Sequence, residues 1–286
     1  MERFIIDFQV TGFCNMRCNF CCGAPRHMAG AEFAAVISVI DKLAAAGVDI
    51  LVITGGEPLM RIDTPDIIAY TANRGIQVYL STNGFLLPKY LESIKLYVSC
   101  IGLPLDGSSP GMNQKMGRLA AQFTVTMSLL SQFAAEKPCA QVKVGTIISK
   151  VNADDVLNIG EILFESENIL HPDTWRLYQF SPLGDGIATR SIHEISTERF
   201  FEICQSVVER FPKAHIAPLS HADSNDSYIF INPDLKFIVL SGDQYIEVGD
   251  AYLMDAEDIR DLKKRLSKVT LQSTRNRSWL WGITQR

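Results

Sequence analysis

Six times between Phe4 and Arg210 an apolar run of strand length gives way to a stretch with helical spacing. The strand-like runs cover residues 4–10, 49–53, 76–80, 96–105, 141–148 and 175–180. The helical ones cover 31–46, 65–74, 90–95, 120–136, 153–165 and 197–210, with Gly47 placed to stop the first. Strands that recur with a helix between them pair in parallel, because the crossover returns each strand to the same end. The expected class is therefore α/β. A chain of 286 residues suffices for one large barrel or two small domains. Past residue 210 the pattern changes. Residues 228–231 and 236–240 flank Asn232-Pro233-Asp234 and predict an antiparallel hairpin. A helix near 255–266 and an aromatic end, Trp279-Leu280-Trp281, follow. The expected division is a barrel over 1–210 and an α+β extension over 211–286 that caps it.

Polar and glycine motifs fall just after the strands, on one rim, where barrel enzymes keep their chemistry. After the first strand come Cys14, Cys18 and Cys21, spaced C-x3-C-x2-C. Three thiolates so close in sequence can hold three irons of a cubane iron–sulfur cluster and leave the fourth iron open to a ligand. A zinc knuckle is the competing reading, but no fourth ligand pair follows at zinc spacing. After the second strand comes Gly55-Gly56-Glu57-Pro58, and after the third Ser81-Thr82-Asn83-Gly84. The fourth ends Leu103-Pro104-Leu105-Asp106, followed by a polar loop with Arg118.

Lys plus Arg total 27 against 32 Asp plus Glu, and this mild acidity argues against a nucleic-acid binder. No apolar run approaches the roughly 20 residues of a membrane span, and the N-terminal run lacks the form of a signal peptide. A cytoplasmic location is expected. There, seven cysteines are metal ligands or spare thiols rather than disulfides. Cys22 reads as a bystander, and Cys100, Cys139 and Cys204 as buried small apolar residues. His27, His171, His193, His215 and His221 show no metal spacing and read as structural. Lys143 and Arg176 sit in apolar strands. Alternation puts Lys143 opposite to Val142 and Val144, so it faces the barrel lumen or an exposed edge.

The cysteine run, the Gly55–Pro58 turn and the six-unit pattern together resemble the radical S-adenosylmethionine (SAM) superfamily over at least residues 4–182. The resemblance implies a partial (β/α)6 barrel with one [4Fe–4S] cluster on Cys14, Cys18 and Cys21. It implies SAM cleaved to a 5′-deoxyadenosyl radical, and an external electron donor such as a flavodoxin or ferredoxin. It assigns Gly55 and Gly56 to the methionine amino group, with Glu57 orienting the turn. Phe20 falls at the adenine position, Ser81 and Asn83 near the ribose and methionine, and Arg118 beside the methionine carboxylate.

Finer similarity points to viperin and its microbial relatives. It rests on the stretch from Asp106 to Gly117-Arg118, Val142-Lys143-Val144 through Asn152, His171-Pro172 through Trp175-Arg176 and Tyr178-Gln179, and Asp226-Ser227-Tyr228 with Phe237. That family dehydrates a nucleoside triphosphate. The resemblance implies phosphate binding by Lys143 and Arg176, and places Tyr228 near the substrate as a hydrogen or proton donor. Departures are expected to matter. Ile50 stands where viperin has a phosphate-binding lysine. Asp7 replaces a neutral polar residue inside the barrel and suits a cationic, amine or hydroxyl partner. Pro104 removes a backbone donor. With no cysteine after Cys204, auxiliary clusters on the tail are not expected. The leading expectation is hydrogen abstraction from a small hydroxylated substrate or nucleotide. A maturase that epimerises a residue of a ribosomal peptide is the alternative. A non-catalytic iron–sulfur or zinc protein is the reading from another class.

Overall fold

The structure is a computed structural model and describes residues 3–224 and 228–270. Asp226, Ser227 and the Trp279-Leu280-Trp281 end lie outside the described residues. The chain begins β1 (Ile5–Gln9), α1 (Phe33–Ala46), β2 (Ile50–Thr54), α2 (Thr64–Asn73), β3 (Gln77–Ser81), α3 (Leu87–Ile94) and β4 (Val98–Pro104). It continues through α4 (Pro110–Lys115), α5 (Ala120–Glu136), β5 (Gln141–Ile148), α6 (Val156–Glu165), β6 (Thr174–Gln179), α7 (Arg190–His193), α8 (Thr197–Arg210) and β7 (Ile216–Leu219). Last come α9 (His221–Ser224), β8 (Ile229–Ile231), β9 (Lys236–Ser241), β10 (Gln244–Asp250) and α10 (Ala256–Thr270).

The ten strands of the described residues form one sheet, ordered β10-β9-β8-β1-β2-β3-β4-β5-β6-β7. The strands from β8 through β1 to β7 run parallel. Beyond β8, β9 and β10 turn back antiparallel. Among the described residues no pairing joins β7 to β10, so the barrel is partial. The hairpin at Asn232–Asp234 forms as the sequence indicates. The Asn232 side chain accepts from the Asp234 and Lys236 backbone N–H groups. β7 and β10 extend the sheet at its two ends, which periodicity did not reveal.

Alternation sorts the side chains. Ile6 and Phe8 of β1, Leu51 and Ile53 of β2, and Val142 and Val144 of β5 point to the helix-covered side. There they join Val39, Ile40 and Leu43 of α1 in the main core. Fully burying an aliphatic or aromatic side chain contributes about 1.5–3 kcal/mol, so this face sets the register of each strand. Gly47 ends α1 in a left-handed conformation, as expected, and its N–H donates to the Ala44 carbonyl at 3.0 Å. α10 seals α1 from outside, with Arg260 donating to the Ala45 carbonyl at 3.0 Å. The opposite, concave face holds a small apolar floor of Ile50, Val52, Tyr79 and Cys100, and polar groups above it. Cys100 and Cys204 are buried, as expected; Cys139 is exposed. It sits in the turn between α5 and β5, where Lys137 takes a positive φ and the chain has left the core.

Candidate active site

The strand ladder of β1 runs one residue past its end, with the Val10 N–H on the Thr54 carbonyl at 2.9 Å, and then opens into the cysteine loop. Gly12 donates to the Met28 carbonyl at 2.7 Å and so closes the base of that loop. Within it the Cys14 Sγ accepts from the Met16 N–H at 3.3 Å and the Cys21 Sγ from the Gly23 N–H at 3.4 Å. Arg118 Nη1 donates to the Cys18 Sγ at 3.5 Å. Cys18 is buried among Met16, Phe20, Met116 and Phe180. Burial pushes the Cys14 and Cys18 thiols above their ordinary value; Met16 N–H opposes this at Cys14 and the Arg118 charge at Cys18.

All three cysteines are free thiols, and each sulfur accepts a hydrogen bond. Among the described residues, no three His, Cys, Asp or Glu side chains gather as on a single metal ion. A cubane does not ask for that, since each thiolate ligates a separate iron. The donor set fits such a cluster.

The Gly55-Gly56-Glu57-Pro58 turn is bolted to this loop. Gly56 and Glu57 donate to the Thr11 and Phe13 carbonyls, both at 2.7 Å. A Cβ on Gly56 would lie 2.3 Å from the Gly12 oxygen and 2.4 Å from the Phe13 oxygen. The glycine is thus required by the loop's own backbone. Glu57 is fully buried and ties the turn to the end of β3. Its Oε1 accepts from Thr82 Oγ1 at 2.7 Å and from the Leu59 N–H at 3.1 Å, and its Oε2 from the Asn83 N–H at 2.7 Å. Burial nevertheless holds its carboxyl above the usual carboxylate range. Asn83 in turn donates to Asn15 Oδ1 at 2.7 Å, reaching the cysteine loop from the β3 side. Ser81 is half-buried at the end of β3, opposite Gly102.

Arg118 pairs with Asp106 through Nε and lies over the Phe20 ring, 5.1 Å from its centre. Burial alone would weaken its charge, but Asp106 and Cys18 outweigh that and raise its pKa above the ordinary arginine value. Asp106 is fully enclosed; its other oxygen accepts from the Ile147 N–H at 2.7 Å. Gly117 takes φ +96°, and its missing Cβ is where the Asn19 side chain packs. His193, read as structural, also reaches this rim. Its ring packs against Phe20 and Phe180, at 5.5 and 5.3 Å, and its Nε2 lies 3.3 Å from Asn19 Oδ1. Asp106 and His193 are among the rim residues that sequence reasoning did not select. Asp106 carried a signal, a carboxylate closing a strand on the motif-bearing side.

Below the rim the concave face gathers Asp7, Lys143, Arg176 and Tyr228. Asp7 is 6% exposed, Lys143 9% and Arg176 0%. Burial raises the Asp7 carboxyl to about 7 against the pull of Lys143, and lowers the Lys143 ammonium. Arg176 Nη2 donates to the Tyr228 hydroxyl at 3.5 Å, and burial pushes that phenol to about 12, so it stays protonated. Small residues make room. A Cβ on Gly102 would lie 3.2 Å from Lys143 Cε, and one on Gly145 3.2 Å from the Tyr178 ring. An aromatic line joins face to rim. Tyr228 stacks on Phe230, Phe230 meets the edge of Tyr245, and the Tyr245 hydroxyl donates to the Cys22 carbonyl at 2.9 Å.

The model of the radical SAM superfamily matches residues 8–157, and the chain belongs to that superfamily. The family's cofactors are a [4Fe–4S] cluster and SAM. An AdoMet-dependent heme synthase of Methanosarcina barkeri is 26% identical over 200 residues, 68% of this chain. The chain spans only about half of that relative, 56% of its length. An S-adenosylmethionine-dependent nucleotide dehydratase of Selenomonas ruminantium is 24% identical over 270 residues, 90% of this chain and 93% of that one. Among solved structures, Streptococcus suis SuiB bound to its precursor peptide SuiA superposes with a TM-score of 0.70 at 14% identity. That match covers 90% of this chain and 64% of SuiB, and it establishes the fold alone. No helix among the described residues is long and apolar enough to cross a membrane.

Proposed function

We propose that this chain is a radical SAM enzyme that takes a hydrogen atom from a small hydroxylated substrate, a nucleotide, and dehydrates it. The observation that carries the reading is the placement of a two-sign polar face, Asp7 against Lys143 and Arg176, beneath a rim of three free cysteines. The nucleotide dehydratase likeness over 90% of the chain supports the substrate class. Cys14, Cys18 and Cys21 would hold the cluster, and Phe20, Gly55, Gly56, Glu57, Ser81, Asn83 and Arg118 the SAM. When bound, these groups supply a carbon-centred radical.

The chain's own residues do the rest. Arg118, kept charged by Asp106, binds a carboxylate. Glu57 fixes the turn that meets it. Lys143 and Arg176 bind phosphate oxygens, and the buried sheet face excludes water. Tyr228, held protonated beside Arg176, is the hydrogen or proton donor. An external flavodoxin or ferredoxin supplies electrons.

The test is anaerobic reconstitution followed by incubation with SAM, a reductant and each ribonucleoside triphosphate. Enhanced 5′-deoxyadenosine together with a product lighter by one water is expected. Cofactor cleavage that no nucleotide stimulates would remove the dehydratase reading and leave the family chemistry intact.

A further inference from the structure

Gln9 is the last residue of β1 and the concave-face residue of that strand nearest the cysteine loop. It shares a face with Asp7, because Phe8 between them packs into the helix-covered core. The side chain is 4% exposed, yet its Oε1 has no hydrogen-bond partner among the described residues. Buried amide oxygens are nearly always paired, since an unpaired one forfeits its hydration for nothing. Such a group persists where something absent from the free chain supplies the donor. Asp7 lies two residues back on the same strand, a second buried acceptor. Across the face, β5 and β6 contribute the cations Lys143 and Arg176. A ligand that satisfies both sides has a donor-bearing end of hydroxyls or amines and an anionic end.

We propose that Gln9 is a specificity-determining residue: its side-chain carbonyl accepts a hydrogen bond from a hydroxyl or amine of the substrate, while Asp7 accepts from a second donor. The proposal deepens the dehydratase reading and rests on it for the choice of nucleotide probes. The oxygen is closed off in the free chain, so the donor arrives as neighbouring side chains turn aside. The hydroxyls of SAM offer the same chemistry, and the test separates the two sources.

Gln9→Met keeps the length and removes the acceptor; Gln9→Glu keeps an acceptor. In cluster-loaded protein without substrate, Gln9→Met is expected to melt about 2–4 °C higher, because an unpaired buried carbonyl is gone. A lower melting temperature would show that the carbonyl is already paired inside the protein, and would overturn the proposal. With CTP, UTP, GTP and ATP as probes, Gln9→Met is expected to raise KM for the stimulating nucleotide about tenfold or more. The kcat should change less, SAM affinity should be unchanged, and Gln9→Glu should retain part of the binding. Among the 2′-deoxy and 3′-deoxy forms and the exchange of bases, one loss should weaken binding to the unaltered protein and not to Gln9→Met. An unchanged KM overturns the proposal. A fall in SAM affinity also overturns it and gives the carbonyl to the cofactor. If no nucleotide stimulates the unaltered protein, the dehydratase reading fails separately, and the melting temperature alone decides whether Gln9 awaits a donor.

Discussion

Around the cysteine loop the buried polar side chains are tied to the protein itself. Glu57 accepts three hydrogen bonds, Asp106 pairs with Arg118, and Asn83 bridges to Asn15. On the concave face one buried group differs: the Gln9 carbonyl has no partner among the described residues. On the proposed assignment the rim is preorganised, at the cost of sequence freedom, for a cofactor that never changes. The face keeps unspent hydrogen-bonding capacity, which a particular substrate can complete. On the proposed assignment, cofactor affinity and substrate choice reside in regions that substitutions can separate.

The largest effect should come from the rim. Cys18→Ala is expected to lower reconstituted iron well below about four per chain and to abolish 5′-deoxyadenosine formation. Full iron with normal cleavage would break the assignment of this region. Next, Arg118→Ala strands the fully buried Asp106 and should cost about 3–5 kcal/mol by denaturant unfolding. Adding Asp106→Asn should restore part of the loss, and no restoration would mean that the pair is not the rim's anchor.

The face predicts a different signature. Burial raises the Asp7 carboxyl to about 7, so the folded chain holds a proton that the unfolded chain releases near its ordinary 3.8. That contribution is complete below pH 3.8 and is lost as the pH climbs to about 7. Asp7→Asn should therefore flatten the fall in melting temperature between pH 5 and 8, whereas an unaltered slope would assign the titration elsewhere. The smallest expected effect is Gly56→Ala. Its Cβ meets loop backbone and should cost about 1–3 kcal/mol, with reduced iron uptake at unchanged far-UV dichroism.

The regular parts of this molecule were legible because burial writes them as periods. Helices 120–136 and 197–210 and strand 141–148 match the sequence reading end to end. Ile216–Leu219 and Gln244–Asp250 escaped, the first too short to show a period and the second mostly exposed. The cysteines and the glycine turn were legible as spacing. Tyr245 and His193 were not, because their reach to the rim depends on β10 and α7 folding back over the cysteine loop. Gln9 looked like an ordinary polar alternation in a strand; only the missing partner distinguishes it.

Asp7 and Phe230 are neighbours in the sheet although they stand near opposite ends of the described chain. The consequence is temporal. β2 through β6 can pair as they emerge in order, whereas one edge of β1 must wait for nearly the whole chain before β8 arrives. Contacts of such long range form slowly and leave an open strand edge meanwhile. A nascent chain would pair β1 with β2 early and gain the β8 side of its concave face last, so a lesion in β8 to β10 should trap a species whose β1 edge stays open and prone to aggregate.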